Sequence, residues 1–195
     1  VRFAPPTEVI VDDADAAPAF QTTGTWTHST STPGYFGTGY KHNNQDPAST
    51  ATFTPDLPAD GSYDVYLRWT ASSNRETAVP VTVHHDGGTA SLTVNQTANG
   101  GTWNLLGTWS FAAGTSGSVV LAAADGVGYV IADAVRFVSQ GAATMDPPAA
   151  LAVAVTQTAT AIPMLQAKHD DAGTHPDGKL VAAHILGMLG DATGA

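Results

Sequence analysis

Flat rings and one guanidinium in polar loops carry the clearest chemistry in this chain. Trp26, Tyr35, Phe36, Tyr40 and Tyr66 are side chains of the kind that stack on the apolar face of a pyranose, leaving sugar hydroxyls for polar neighbours. Tyr66 stands on the outward parity of its stretch, and Tyr35, Phe36 and Tyr40 lie in a Gly-rich loop. Arg75, in the polar run Ser73-Asn74-Arg75-Glu76, offers a planar donor fork suited to a sugar hydroxyl or a uronate carboxylate. The structural alternatives are a loop that tucks its rings over the end of the fold and an ion pair of Arg75 with Glu76 or Asp64. Trp69, Trp103 and Trp109 share parity with Leu, Val and Phe and are expected in the core.

Asp133 is the odd residue of its stretch, because it shares parity with Tyr129, Ile131, Val135 and Phe137. A buried carboxylate needs hydrogen-bond donors or a cation. One reading is a structural calcium held with Asp12, Asp13 or Asp15, since hard carboxylate oxygens suit that ion. The other is a partner in Arg68, Arg136 or the backbone, or a bulge that turns the side chain outward. His84-His85 beside Asp86 has the composition of a transition-metal pair, but a solvent-exposed hairpin end is favoured.

These groups sit in a chain of 195 residues, 43% hydrophobic and 12% charged, with a formal net charge of -10. That length supports one or two domains. The apolar fraction can fill a core, so the composition excludes a disordered chain. Seven Lys and Arg cannot form the basic stripe that nucleic acid needs, and an anionic membrane surface repels this charge. The absence of cysteine excludes disulfides, thiolate zinc sites and thiol catalysis. No apolar run reaches transmembrane length. The chain opens at Val1 without an initiator Met, which reads as a mature or excised piece of a longer product.

The elements that must position the candidate residues are strands. Tyr63, Val65, Leu67 and Trp69 alternate with Asp64, Tyr66 and Arg68, a period of two that puts one set on a core face. Val79, Val81 and Val83 repeat the pattern, as do Ala90, Leu92 and Val94, with the turn Asp86-Gly87-Gly88 between them. Pro80 cannot donate to a ladder, so its strand lies at an edge or begins there. Further strands are expected at Val9–Val11, Thr25–His28, Thr50–Phe53, Trp103–Phe111, Val119–Leu121 and Tyr129–Val138. About nine short strands between Gly, Pro, Asp and Asn turns predict an all-β, jelly-roll-like antiparallel sandwich. After it, residues 139–149 read as a linker with Pro147-Pro148, and 150–195 as an extension with a helix over about 178–189. Residues 1–7 read as a leader or the end of a preceding module, since Val1-Arg2-Phe3 repeats Val135-Arg136-Phe137.

Several runs resemble the golvesin-like family, an accessory module also described beside bacterial xanthan lyases. They are Val9-Ile10-Val11-Asp12, Gly34-Tyr35-Phe36-Gly37, Gly61-Ser62-Tyr63-Asp64-Val65-Tyr66, Ser73-Asn74-Arg75 and Val94-Asn95-Gln96. The longest are Gly100-Gly101-Thr102-Trp103-Asn104-Leu105-Leu106-Gly107 and Gly128 to Phe137. The resemblance holds in order across about 8–138. It implies a jelly-roll module of bacterial extracellular proteins that binds polysaccharide.

The tail run Asp171-Ala172-Gly173-Thr174-His175-Pro176 resembles the last block of SGNH-type esterases. That resemblance implies His175 as general base and Asp171 as its orienting carboxylate. The spacing departs from Asp-x-x-His, and no Gly-Asp-Ser block supplies a nucleophile. The alternative is a helix start capped by Thr174 or Asp177. No catalytic set is complete within the chain.

The leading expectation is therefore a non-catalytic, secreted module whose partners are a polysaccharide or cell-wall glycan and the other domains of its parent protein. Its possible cofactor is structural calcium at Asp12, Asp15 and Asp133. One rival is a fragment of an SGNH-type esterase whose serine lies outside the chain. The other is a structural subunit of an extracellular filament or surface layer, with the apolar stretch Ala149–Leu165 donated to a neighbour.

Overall fold

A computed structural model describes residues 6–123 and 127–140, together with the backbone of Arg2–Phe3 and Ala143–Thr144. Contacts divide the chain into two units, of which the larger spans Pro5–Ala142. In the other unit, β1 (Arg2–Phe3) pairs antiparallel with β14 (Ala143–Thr144). The expected helix over 178–189, together with Asp171 and His175, falls outside the described residues.

The larger unit is built from strands alone among its described residues. They are β2 (Glu8–Asp12), β3 (Phe20–Thr23), β4 (Thr27–Ser29), β5 (Tyr40–His42), β6 (Thr50–Phe53), β7 (Gly61–Arg68) and β8 (Val79–His85). Then follow β9 (Gly88–Val94), β10 (Asn104–Phe111), β11 (Ser118–Ala122), β12 (Ile131–Ala132) and β13 (Ala134–Ser139). They form a four-stranded sheet in the order β10-β7-β13-β2, a five-stranded sheet in the order β3-β6-β11-β8-β9, and a three-stranded sheet in the order β12-β5-β4. All named pairings are antiparallel. The architecture is the expected all-β sandwich, with β3 and β5 added to the strands legible by alternation.

The period of two explains the core. Tyr63, Val65 and Leu67 of β7 are buried, as are Val79, Val81 and Val83 of β8, Val119 and Leu121 of β11, and Val135 and Phe137 of β13. Phe53, Phe111 and Trp69 complete the interior. Each such side chain contributes about 1.5–3 kcal/mol relative to leaving it in water, so alternation of this regularity fixes which face of each strand turns inward. Pro80 is accommodated at the start of β8, where β9 lies alongside but the ladder with β11 has already ended at Val81.

The expected parity fails at Trp103 and Leu105. Both share sequence parity with Trp109 and Phe111. The pairing of β10 with β7 shifts register between Leu105 and Gly107. A bulge of this kind inserts one residue and exchanges inward for outward positions. Trp109 and Phe111 accordingly face the core, where Phe111 is buried. Trp103 and Leu105 are thrown to the outer face, with Leu105 57% exposed.

Candidate binding face

The outer face of the four-stranded sheet gathers rings and guanidinium groups. The ladders set Ile10, Arg136, Tyr66 and Leu105 side by side across β2, β13, β7 and β10. Cross-strand partners of this type share a face. The Arg136 guanidinium carbon lies 4.4 Å from the centre of the Tyr66 ring and 4.9 Å from that of Trp103. Arg68 approaches the same Trp103 ring at 5.7 Å. Phe36 completes the group at 5.6 Å from Trp103, with the rings inclined by 54°. Cation–π contacts of this kind contribute ~0.5–1 kcal/mol at exposed sites and more where water is excluded.

Two loops must meet to build this face, and glycine lets them. Gly34 and Gly101 have φ of 103° and 74°, in the region L side chains rarely adopt. A Cβ on Gly34 would stand 3.0 Å from the Cα of Gly101. The close approach brings the loop carrying Phe36 against the loop carrying Trp103. Arg68 ties the first loop down, its Nε–H donating to the Gly34 carbonyl at 3.0 Å. Gly101 N–H donates to the Trp69 carbonyl at 2.8 Å, holding the second.

Asp133 lies between β12 and β13 and is fully buried. Its Oδ1 accepts the Phe36 N–H at 2.9 Å, so it anchors the loop that presents Phe36. Its Oδ2 is 3.9 Å from Arg68 Nε and has no hydrogen-bond partner among the described residues. Burial pushes this carboxyl up to about 7, against the Phe36 hydrogen bond and the Arg68 charge, with Asp13 and Asp12 adding to the rise. Asp13 is likewise pushed up to about 6 by burial, although Lys41 Nζ donates to its Oδ2 at 3.1 Å and to its carbonyl.

The calcium expectation concerns Asp12, Asp15 and Asp133. Asp15 Oδ2 turns back to accept the Asp12 N–H, and Asp12 Oδ1 accepts the Ala14 N–H. The cation beside Asp13 is the Lys41 ammonium. Among the described residues no three His, Cys, Asp or Glu side chains are grouped so that they could hold a metal ion. At the same edge Asp12 Oδ2, Asp13 Oδ1 and Asp133 Oδ2 are buried without a hydrogen-bond partner among the described residues. His84 and His85 end the β8 strand at its hairpin, where His85 stacks on Trp109 at 6.0 Å.

Of the six residues expected to touch sugar, the structure brings Phe36 and Tyr66 to the outer face. The other four lie elsewhere: Tyr40 and Arg75 are buried, and Tyr35 and Trp26 are half-buried against the core. Tyr40 is 2% and Arg75 7% exposed. Arg75 donates to the Thr70 carbonyl, Asn74 Oδ1, Thr32 Oγ1 and the Tyr40 hydroxyl. Neither the Glu76 nor the Asp64 ion pair is formed: Glu76 accepts from Thr77, Ala78 and Gly128 N–H groups, and Asp64 accepts the Thr108 hydroxyl. Tyr35 packs against the core beside Tyr40, and Trp26 donates its indole N–H to the Thr23 carbonyl. Trp103, Arg68 and Arg136 enter the face instead. The signal for Trp103 was its place in the Gly-rich run 100–107, since parity alone pointed the wrong way. A separate groove of ≈ 330 Å³, lined by Val9, Ile10, Val11, Pro18, Ala19 and Thr54 among others, contains no aromatic ring.

Comparison with known proteins gives a consistent picture. The family described as Golvesin C-terminal domain matches residues 9–139. The "Xanthan lyase" of Bacillus sp. (strain GL1) is 46% identical over 138 residues, covering 68% of this chain and 15% of that protein. The solved Paenibacillus xanthan lyase aligns with a TM-score of 0.66 at 47% identity, over 68% of this chain and 13% of the lyase. A family 35 carbohydrate binding module from an environmental isolate aligns with a TM-score of 0.51 at 18% identity, over 68% of this chain and 93% of the module. The last likeness is one of fold. This chain therefore spans about one seventh of the length of the lyases it matches.

Proposed function

We propose that this chain, which belongs to the Golvesin C-terminal domain family, acts as a polysaccharide-binding accessory module of a larger secreted bacterial protein and performs no chemistry of its own. The observation that carries the reading is the outer-face platform in which Arg136 lies between Tyr66 and Trp103, with Phe36 alongside. Rings and guanidinium groups held in fixed, half-buried positions offer a sugar both stacking and hydrogen bonding at small entropic cost. The similarity to xanthan lyases over this segment and the shared fold with a carbohydrate binding module support the same reading. The similarity to xanthan lyases also supports a location outside the cell.

The role of such a module is to hold its parent protein near a polymer. Tethering raises the effective concentration of an attached domain without any new contact at the reacting atoms. Lyase activity is a property of the similar whole proteins, and this chain matches only a small part of them. Affinity electrophoresis through gels containing xanthan and a panel of other polysaccharides tests the reading. Retardation by at least one polymer is expected. Unretarded migration of the folded protein through all of them would remove it.

A further inference from the structure

We infer that the outer face selects a sugar bearing a carboxylate, such as a uronate, and that Arg136 and Arg68 read it; the inference rests on the polysaccharide-binding role proposed above.

Arg136 is held in place before any ligand arrives. Its guanidinium contacts Tyr66 and Trp103 at 4.4 and 4.9 Å; its Nε is buried without a hydrogen-bond partner among the described residues, so a ligand would meet the terminal nitrogens. Its one ion pair among the described residues is with Glu8, at 3.5 Å, and the Glu8 side chain is 50% exposed. That distance exceeds a good charge-assisted hydrogen bond, and an exposed pair of this kind contributes at most about 1 kcal/mol. A ligand carboxylate can displace it. Arg68 uses Nε on the Gly34 carbonyl, and its terminal nitrogens carry no hydrogen bond to the described residues. Its nearest acid, Asp133, is the carboxyl whose burial favours the neutral form.

Two cations thus approach the Trp103 ring, each with terminal nitrogens not used by the described residues, on a protein of net charge -10. A neutral sugar offers these forks only hydroxyls. A carboxylate accepts two parallel N–H bonds in the geometry a guanidinium presents. The distant acids oppose a polyanion weakly, because charge is screened over about 8 Å at physiological salt. The contact interaction therefore decides.

The test compares xanthan and polygalacturonate, each native and after reduction of its carboxylates to primary alcohols, by calorimetric titration with the full chain. The native polymer that binds should do so about tenfold or more tightly than its reduced form, the effect of one hydrogen bond to a charged group. Arg136→Gln and Arg68→Gln, with folding checked by circular dichroism, should bring the native polymer down to the level of the reduced one. Equal affinity of the unaltered protein for native and reduced polymer overturns the inference and leaves the polysaccharide reading standing. Discrimination that survives both substitutions also overturns it. Failure to bind either form, alongside unretarded migration in the wider panel, removes the underlying reading as well.

Discussion

Arg136 and Tyr66 are directly opposed across the β13–β7 ladder, and the guanidinium of the first lies 4.4 Å from the ring centre of the second. The contact sits on the outer face, where Arg136 is 23% exposed. Trp103 closes on the other approach at 4.9 Å only because the β10 bulge turns it outward. The outer face is thus a product of ladder register, one bulge and one loop contact.

Trp103 and Trp69 should respond oppositely to truncation. Trp69 is buried and donates its indole N–H to the Ala98 carbonyl, so Trp69→Ala should lower stability by about 3–5 kcal/mol. Trp103→Ala removes outer-face contacts and should lower stability by only ~1 kcal/mol, while abolishing retardation in polysaccharide gels. Urea melts and affinity electrophoresis on both variants check the pair. A large stability loss at Trp103 would contradict the bulge assignment.

Gly34→Val should separate the two loops. The new Cβ would meet Gly101 Cα at 3.0 Å, and φ at Gly34 is 103°. The strained backbone costs about 1–2 kcal/mol before the clash is counted. Loss of Phe36–Trp103 contact should weaken polysaccharide binding in the folded variant. Gly88→Ala, at a hairpin glycine with open space around it, should leave binding unchanged.

Arg75 is a test of a structural role. Its donors are distributed over Thr70, Asn74, Thr32 and Tyr40. Arg75→Ala leaves buried acceptors unpaired and should destabilise by about 2–4 kcal/mol, with the affinity of the folded fraction unaltered. Gln96→Leu should behave in the same way. Its amide donates to the Ile131 carbonyl at 2.9 Å and accepts the Ile131 N–H at 2.8 Å, both fully buried. Thermal melts give the first quantity and titration of the folded protein gives the second.

The stability contributed by Asp133 and Asp13 should fall as pH rises from about 4 to about 7. Asp133 and Asp13 have folded values of about 7 and about 6, above the unfolded value of 3.8. Groups raised on folding favour the native state most below the unfolded value, and that contribution is lost as pH rises through the folded ones. Asp133→Asn keeps an acceptor for the Phe36 N–H but cannot ionise, so its stability should vary less over this window. Denaturant melts at several pH values check both statements. A profile that rises with pH in both proteins would contradict them.

Much of the sandwich was legible because alternation is a local signal. Tyr63, Val65 and Leu67, and the three valines of β8, declared their faces directly. Two strands escaped. β3 has one buried residue, Phe20, followed by three exposed ones, and β5 is three residues long. The face itself was half visible. Phe36 and Tyr66 were recognisable by loop composition and parity. Trp103 was hidden by a bulge, which no parity count detects. Arg75 misled because a polar loop run in sequence became a buried staple through partners up to 43 residues away. Asp133 was flagged correctly as a buried acid, but its partner proved to be a backbone N–H 97 residues distant.

On the proposed reading the Arg136–Tyr66–Trp103 face holds polysaccharide. Affinity electrophoresis of the unaltered chain beside Tyr66→Ala/Trp103→Ala, in gels with and without each polymer of the panel, tests it most directly. Retardation of the unaltered chain by at least one polymer is expected, with the folded double variant migrating as if that polymer were absent. Equal retardation of the two proteins, or none for the unaltered chain in any gel, would contradict it.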